Sequence, residues 1–454
     1  MATIYFVLYA TLSVLRHESY HSFGLDLGLF DQVFWNTTQG RPFESTMSLG
    51  IAAPHSLLGD HFSPVFLLLM PLYYAFPHPE TLLVIQTAAL ALGAWPVYLL
   101  AKLKLPAGYP LLWVLVYFLF LPVAFINLYD FHEIALAVAP LGFALYFLER
   151  DRPVWFLGFV LFTFLIKEEL PVVALGFGMY ALARRNWRLG LQVLAGSIVA
   201  FELVTGFAIP HFSAGRTYFY FAERYGAIGG SPLGIIHTLV TNPLQIARVL
   251  LVPKKIFFLI GIFGPVLGLS AISGWAVLIL LPTLGYLLLT GYVPQFSFTS
   301  QYAAPLIPLV IGTAIIAMAR LPASAVRYVA GGVLASSLVF SWAYGDLPYS
   351  RKFDWSIFQT QSRYASFVSQ LTQIGPDARV SAEIGLTSHL SERRYIYEYS
   401  FQGVQDAEWV VLDYEGTSYQ MAGFDSQVRY VESLGYEQVA SGYGLSLLRK
   451  LPSG

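Results

Sequence analysis

Long apolar runs separated by short polar breaks fill the first 345 residues, and they leave few ways to fold. A backbone surrounded by lipid must satisfy its own hydrogen bonds, so such runs become helices. Runs at about 2–16, 80–101, 109–127, 134–148, 154–167, 169–183, 190–209, 256–273, 275–290, 303–319 and 326–344 are candidates for a hydrocarbon core about 30 Å thick. The 454 residues are 56% hydrophobic and only 12% charged, about half the charge of a typical soluble domain. Net charge is -1, so no global attraction to nucleic acid is implied. The chain has no cysteine, which excludes disulfides, thiolate catalysis and Cys-ligated metals. The first run lacks a basic leader and a small-residue cleavage site, so it reads as a short first span rather than a signal peptide.

The run 62–76 carries Pro64 and Pro71 and reads as a helix lying at the membrane interface. Leaving it out of the count puts Lys102/Lys104, Arg150/Arg152, Arg184/Arg185/Arg188 and Arg320/Arg327 on one side, as the positive-inside rule requires. Counting it would reverse every later segment. The expectation is a polytopic α-helical membrane protein with about eleven transmembrane helices, a cytoplasmic N-terminus and an extracytoplasmic C-terminus. The first loop (16–79), the 128–133 loop, the 210–255 loop and the C-terminal part then share the outer face.

After residue 345 the composition changes, with 22 of the 53 charged residues falling in this last part. Strands are expected at 379–383, 394–399, 408–413 and 445–449, with helices at 358–374 and 425–434. The division expected is a membrane domain, 1–345, and a small extracytoplasmic α/β domain, 346–454. The latter has no Gly-rich phosphate loop and reads as a structural or acceptor-docking module.

Charge is costly near lipid, so polar clusters at the loop ends are functional candidates. Asp26 and Asp31 lie in Phe23-Gly24-Leu25-Asp26-Leu27-Gly28-Leu29-Phe30-Asp31-Gln32, where an acid can be a general base, a metal ligand or a helix cap. Residues five apart on a helix diverge by about 140°, so the two need not face one cavity. Gly59-Asp60-His61-Phe62-Ser63-Pro64 offers a cap at Asp60 and a phosphate or metal contact at His61. Tyr129-Asp130-Phe131-His132-Glu133 offers three polar side chains at a helix end. Lys167-Glu168-Glu169 interrupts two apolar runs, a place where an ion pair lines a cavity or holds a hairpin. The 211–255 loop sets Arg216, Arg224, Arg248, Lys254 and Lys255 against Glu223, beside the aromatic run Tyr218-Phe219-Tyr220-Phe221. Such cations hold anionic head groups. Gln301 and Tyr302 open the tenth run on the same face. A divalent cation, Mg²⁺ or Mn²⁺, is open at Asp26, Asp130 and His132, although the spacing fits no dedicated metal motif.

Leu25–Gln32, Gly59–Pro64, Leu82-Leu83-Val84-Ile85-Gln86, Asp130–Glu133 and Lys167–Glu169 together carry a resemblance. The layout resembles the GT-C superfamily of polyprenyl-phosphate-sugar glycosyltransferases. More closely, the chain resembles the prokaryotic membrane-protein family described as domain of unknown function 2079. The resemblance implies glycosyl transfer in a prokaryotic plasma membrane, from a polyprenyl-phosphate-linked sugar to an acceptor it does not specify. Asp26 stands where the GT-C base or metal ligand is expected, with Asp31 supporting it. Arg216, Arg224, Lys254, Lys255 and His61 are candidates for the leaving phosphate. Asp130, His132, Glu133, Gln301 and Tyr302 are further substrate-binding candidates. The prenyl tail and membrane lipids would lie between the spans. Phe62 and Ser63 interrupt the His-Pro-Pro-Leu-like stretch of that superfamily, and its usual Asp-Glu pair is absent. The alternative is a transporter or lipid-linked-sugar flippase that forms no glycosidic bond.

Overall fold

The computed structural model describes residues 1–47, 54–216, 218, 220–414 and 423–452. Phe219 of the aromatic run and residues 48–53 of the first loop lie outside the described residues. Proline opens many of the helices: Pro79, Pro153, Pro232, Pro243 and Pro253 each occupy a first position, where the missing N–H is no loss. Among the described residues, Pro79–Lys104, Trp187–Phe212, Gln301–Met318 and Ala323–Tyr344 are each long and apolar enough to cross a bilayer. The pairs Tyr109–Leu119 with Leu121–Tyr129, bent by 45°, and Pro243–Leu250 with Pro253–Val266, bent by 65°, raise the number to six if each is one span. The other apolar runs form shorter helices, such as Ala2–Glu18, Val138–Glu149, Pro153–Thr163 and Leu170–Ala183. The run 62–76 forms Phe66–Ala75 and keeps Pro71 inside it.

One end of the bundle is tied by charge. Glu149 accepts from Tyr180 at 2.7 Å, pairs with Arg184 at 3.2 Å and also meets Lys104. At the opposite end sits the sheet. Here β1 (Glu44–Ser45) and β2 (His55–Ser56) make a small antiparallel pair in the first loop. The larger sheet has β3 (Val380–Ala382), β4 (Ile396–Glu398), β5 (Trp409–Asp413), β6 (Tyr436–Gly442) and β7 (Leu445–Lys450), in the order β4-β3-β5-β7-β6. β3 runs parallel to β4 and β5, while β7 is antiparallel to β5 and β6. β6 was not expected; as an edge strand its side chains are mostly exposed, which hides it from an apolar count.

The sheet is seated on the first loop. Val380, Ala382, Ile396 and Leu447 belong to the same apolar core as Leu27, Val33 and Met47. Gln32 donates to the carbonyls of Arg393 and Arg394, and Thr46 Oγ1 donates to Ile396 O at 2.6 Å. Arg394 pairs with Glu44 at 3.0 Å, and the His389 ring lies 2.8 Å from His17 O.

Candidate functional site

Asp26 sits on a wide helical turn, Gly24–Gly28, that leads into the helix Leu29–Thr38. Two segments hold that turn. From the sheet, Glu398 accepts the Leu25 N–H at 2.8 Å. A β-carbon at Gly24 would collide with the Glu398 carboxylate, so only glycine allows this approach. From the bundle, Asp130 accepts from Arg16 at 2.6 Å and from the Phe23 N–H at 3.0 Å. Asp130 adopts φ 125°, a conformation that costs a non-glycine residue about 1–3 kcal/mol and is kept only where neighbours impose it. Gln86 imposes it: its amide donates to Ile126 O and Asp130 O and its carbonyl accepts the His132 N–H. His132 is thereby aimed at Asp26, with Nε2 3.1 Å from Oδ1.

The Asp26–His132 pair lines a polar cavity of about 280 Å³. His61, Lys167, Arg224, Gln301 and Tyr302 line it too. Residues not singled out from sequence complete it: Tyr292, Pro294 and, from the C-terminal part, Phe401. Lys167 is held at 2.5 Å by Glu133, and both are buried. Glu168 is used by His61 at 3.3 Å, the Phe62 N–H at 3.1 Å and Tyr218 at 3.1 Å. His61 stacks on Tyr220, whose hydroxyl donates to Asp60. Arg224 is caged by aromatic rings, lying 4.2 Å from the Tyr220 centroid, 5.2 Å from Tyr292 and 5.3 Å from Tyr302. It donates to the Tyr302 hydroxyl at 3.2 Å. Among the described residues, this buried guanidinium has no ion pair within 4.0 Å.

Arg224 and Tyr220 also line a second cavity, an apolar groove of about 530 Å³ between Leu170–Ala183, Trp187–Leu203, Pro232–Thr241 and Leu281–Leu289. Most of its wall is apolar, with Val172, Leu175, Ile198, Phe201 and Leu289 as examples. The polar cavity and the groove therefore meet at one unpaired cation.

Other candidates fall elsewhere. Asp31 is fully buried and accepts from Tyr73 at 2.5 Å and Ser391 at 2.7 Å, joining the loop to the sheet. Burial pushes its carboxyl up to about 8, against the two hydroxyl bonds that pull it down. It does not line the cavity, because five residues of helix turn it to the other face. Lys255 is buried and donates to the carbonyls of Val249, Leu288 and Thr290. Arg216 and Lys254 are exposed and line neither cavity. Asp130 and Glu133 also stand back from the cavity, engaged by Arg16 and Lys167. The three expected metal ligands accordingly do not converge. Among the described residues no group of three His, Asp or Glu side chains could hold a metal ion.

A helical bundle joined to a small α/β unit gives the chain the class of an integral membrane protein with a GT-C-like fold. Within it, the chain belongs to the family described as "Predicted membrane protein (DUF2079)", whose model matches residues 16–447. The fold is similar to the crystal structure of ArnT from Cupriavidus metallidurans bound to undecaprenyl phosphate, with TM-score 0.56 and 14% identity over 99% of this chain and 98% of that one. The apo ArnT structure from the same organism gives TM-score 0.54, again at 14% identity and with the same coverage. No curated protein matches the chain.

Proposed function

We propose that this protein transfers a sugar from a polyprenyl-phosphate-linked donor to an acceptor hydroxyl, on the outer face of a prokaryotic plasma membrane. The observation that carries the reading is the position of Arg224. It is an unpaired, desolvated cation where a polar cavity holding Asp26 and His132 meets an apolar groove. A lipid phosphate diester needs such a junction: sugar on the polar side, phosphate at the cation, prenyl chain in the groove. The likeness to ArnT, whose crystal structure holds undecaprenyl phosphate, supports the lipid class.

Asp26 takes the acceptor's proton, and His132 holds its carboxylate in place. The acceptor oxygen attacks the anomeric carbon, and the bond from that carbon to the phosphate oxygen breaks. Arg224 stabilises the charge left on the lipid phosphate. About eleven spans, an inside N-terminus and an outside C-terminal domain from residue 346 complete the arrangement. The cluster of Lys104, Glu149, Asp151 and Arg184 at the end away from the sheet favours that orientation.

The test uses wild type and Asp26→Asn in membranes that carry the host's lipid-linked sugars. The variant should bind undecaprenyl phosphate like wild type, yet move no label from lipid to acceptor. Transfer at full rate would remove Asp26 as the base. Sugar crossing the membrane with no new glycosidic bond would assign a flippase instead.

A further inference from the structure

Lys167, Glu168 and Glu169 interrupt two helices in the middle of this site, and two of the three are accounted for. Lys167 is held by Glu133, and Glu168 by His61, Phe62 and Tyr218. Glu169 is not. It precedes the first turn of Leu170–Ala183 without a capping hydrogen bond, is 9% exposed and lines the groove beside Arg224. Among the described residues its carboxylate has no hydrogen bond and no ion pair within 4.0 Å, and Oε1 is a buried atom with no partner. A buried acid without a partner is costly, and groups left so are commonly part of a site.

The charges show what it would do. Resting on the glycosyl-transfer reading above, the donor is a phosphodiester with one negative charge. When the bond from the anomeric carbon to oxygen breaks, the electron pair stays on that oxygen and the lipid becomes a monoester with two. Lys167 is already neutralised by Glu133, so one unpaired cation, Arg224, faces a dianion. We infer that Glu169 is a catalytic residue that donates its proton to the departing lipid phosphate. The carboxyl O–H breaks as a phosphate O–H forms, and the lipid leaves as a monoanion matched to one arginine. Asp26 gains the acceptor's proton in the same turnover, so protons balance over the site. The charged groups facing Glu169 are Lys167, Glu168, Glu133 and Arg224, with Glu202 and the Tyr286 hydroxyl, which has no partner among the described residues, farther along the groove.

The probe is undecaprenyl phosphate bound to the full chain in lipid nanodiscs, followed by phosphorus NMR against pH. A free phosphate monoester loses its second proton near pH 6. Bound to wild type, it should keep that proton at least one pH unit higher, because Glu169 shares it. In Glu169→Gln the transition should fall to or below the free value, since only Arg224 then acts on it. The same transition in both proteins overturns the assignment of Glu169 while leaving the transfer reading intact. Absence of a bound signal from folded wild type overturns both.

Discussion

Replacing Asp31 by Asn separates the two acids that sequence placed together. Asp31 lies wholly inside the protein, its oxygens taken by Tyr73 and Ser391. Its folded pKa is raised from 3.8 to about 8 by burial. Between those values the folded state holds one proton more than the unfolded state, so stability falls as pH rises and levels off above 8. From pH 5 to pH 8 the loss from this one group is on the order of 4 kcal/mol. Asn keeps the carbonyl for Tyr73 and turns an N–H toward Ser391, at a cost of about 1 kcal/mol, and it does not titrate. The variant should therefore lie within about 1 kcal/mol of wild type at pH 5 and exceed it by about 4 kcal/mol at pH 8. All other groups cancel in the difference. Thermal unfolding in detergent at both pH values reads this as a gap of a few degrees that opens with pH. A gap that stays constant refutes the reasoning. So does loss of transfer in Asp31→Asn, because the side chain does not reach the cavity.

Glu398→Ala should lower kcat by about 10- to 100-fold with the lipid KM unchanged, because Leu25 loses its acceptor and the Asp26 turn its anchor. Glu398→Gln should recover most of that rate, since burial raises the Glu398 carboxyl to about 8 and the amide oxygen accepts the same N–H. Steady-state kinetics on the two variants checks this, and equal losses would leave Glu398 a merely structural group. Lys167→Met strands the buried Glu133 and should cost about 3–5 kcal/mol. The double variant with Glu133→Leu should regain most of it, as thermal unfolding would measure; a variant no more stable than Lys167→Met alone would refute the ion-pair account.

Much of the architecture was legible in local pattern. Apolar runs broken by proline mark the helices, and the strands at 396–398 and 409–413 follow from β-branched and aromatic residues. The polar motifs at 26, 61, 132 and 301–302 fall around one cavity because each ends a segment at the same end of the bundle. What stayed hidden depends on facing and on distance along the chain. Five basic residues in one loop look alike, yet Arg224 enters the site while Lys255 spends its charge on three backbone carbonyls. Tyr292, Glu398 and Phe401 carry no local signal, since their roles come from contacts with distant segments. Asp130 looked like a ligand, but a nearby arginine, Arg16, takes its carboxylate.

The bond between Leu25 and Glu398 joins positions 373 residues apart, so the turn that carries Asp26 is assembled from distant segments. At about 5–20 residues per second, a ribosome needs roughly 20 to 75 seconds to make the second partner after the first. During that interval the helices can insert while the first loop still lacks its seat. The anchor of the Asp26 turn thus arrives only after the second partner has been made. A chain still short of Glu398 would hold the apolar groove while the turn that carries Asp26 lacked its anchor.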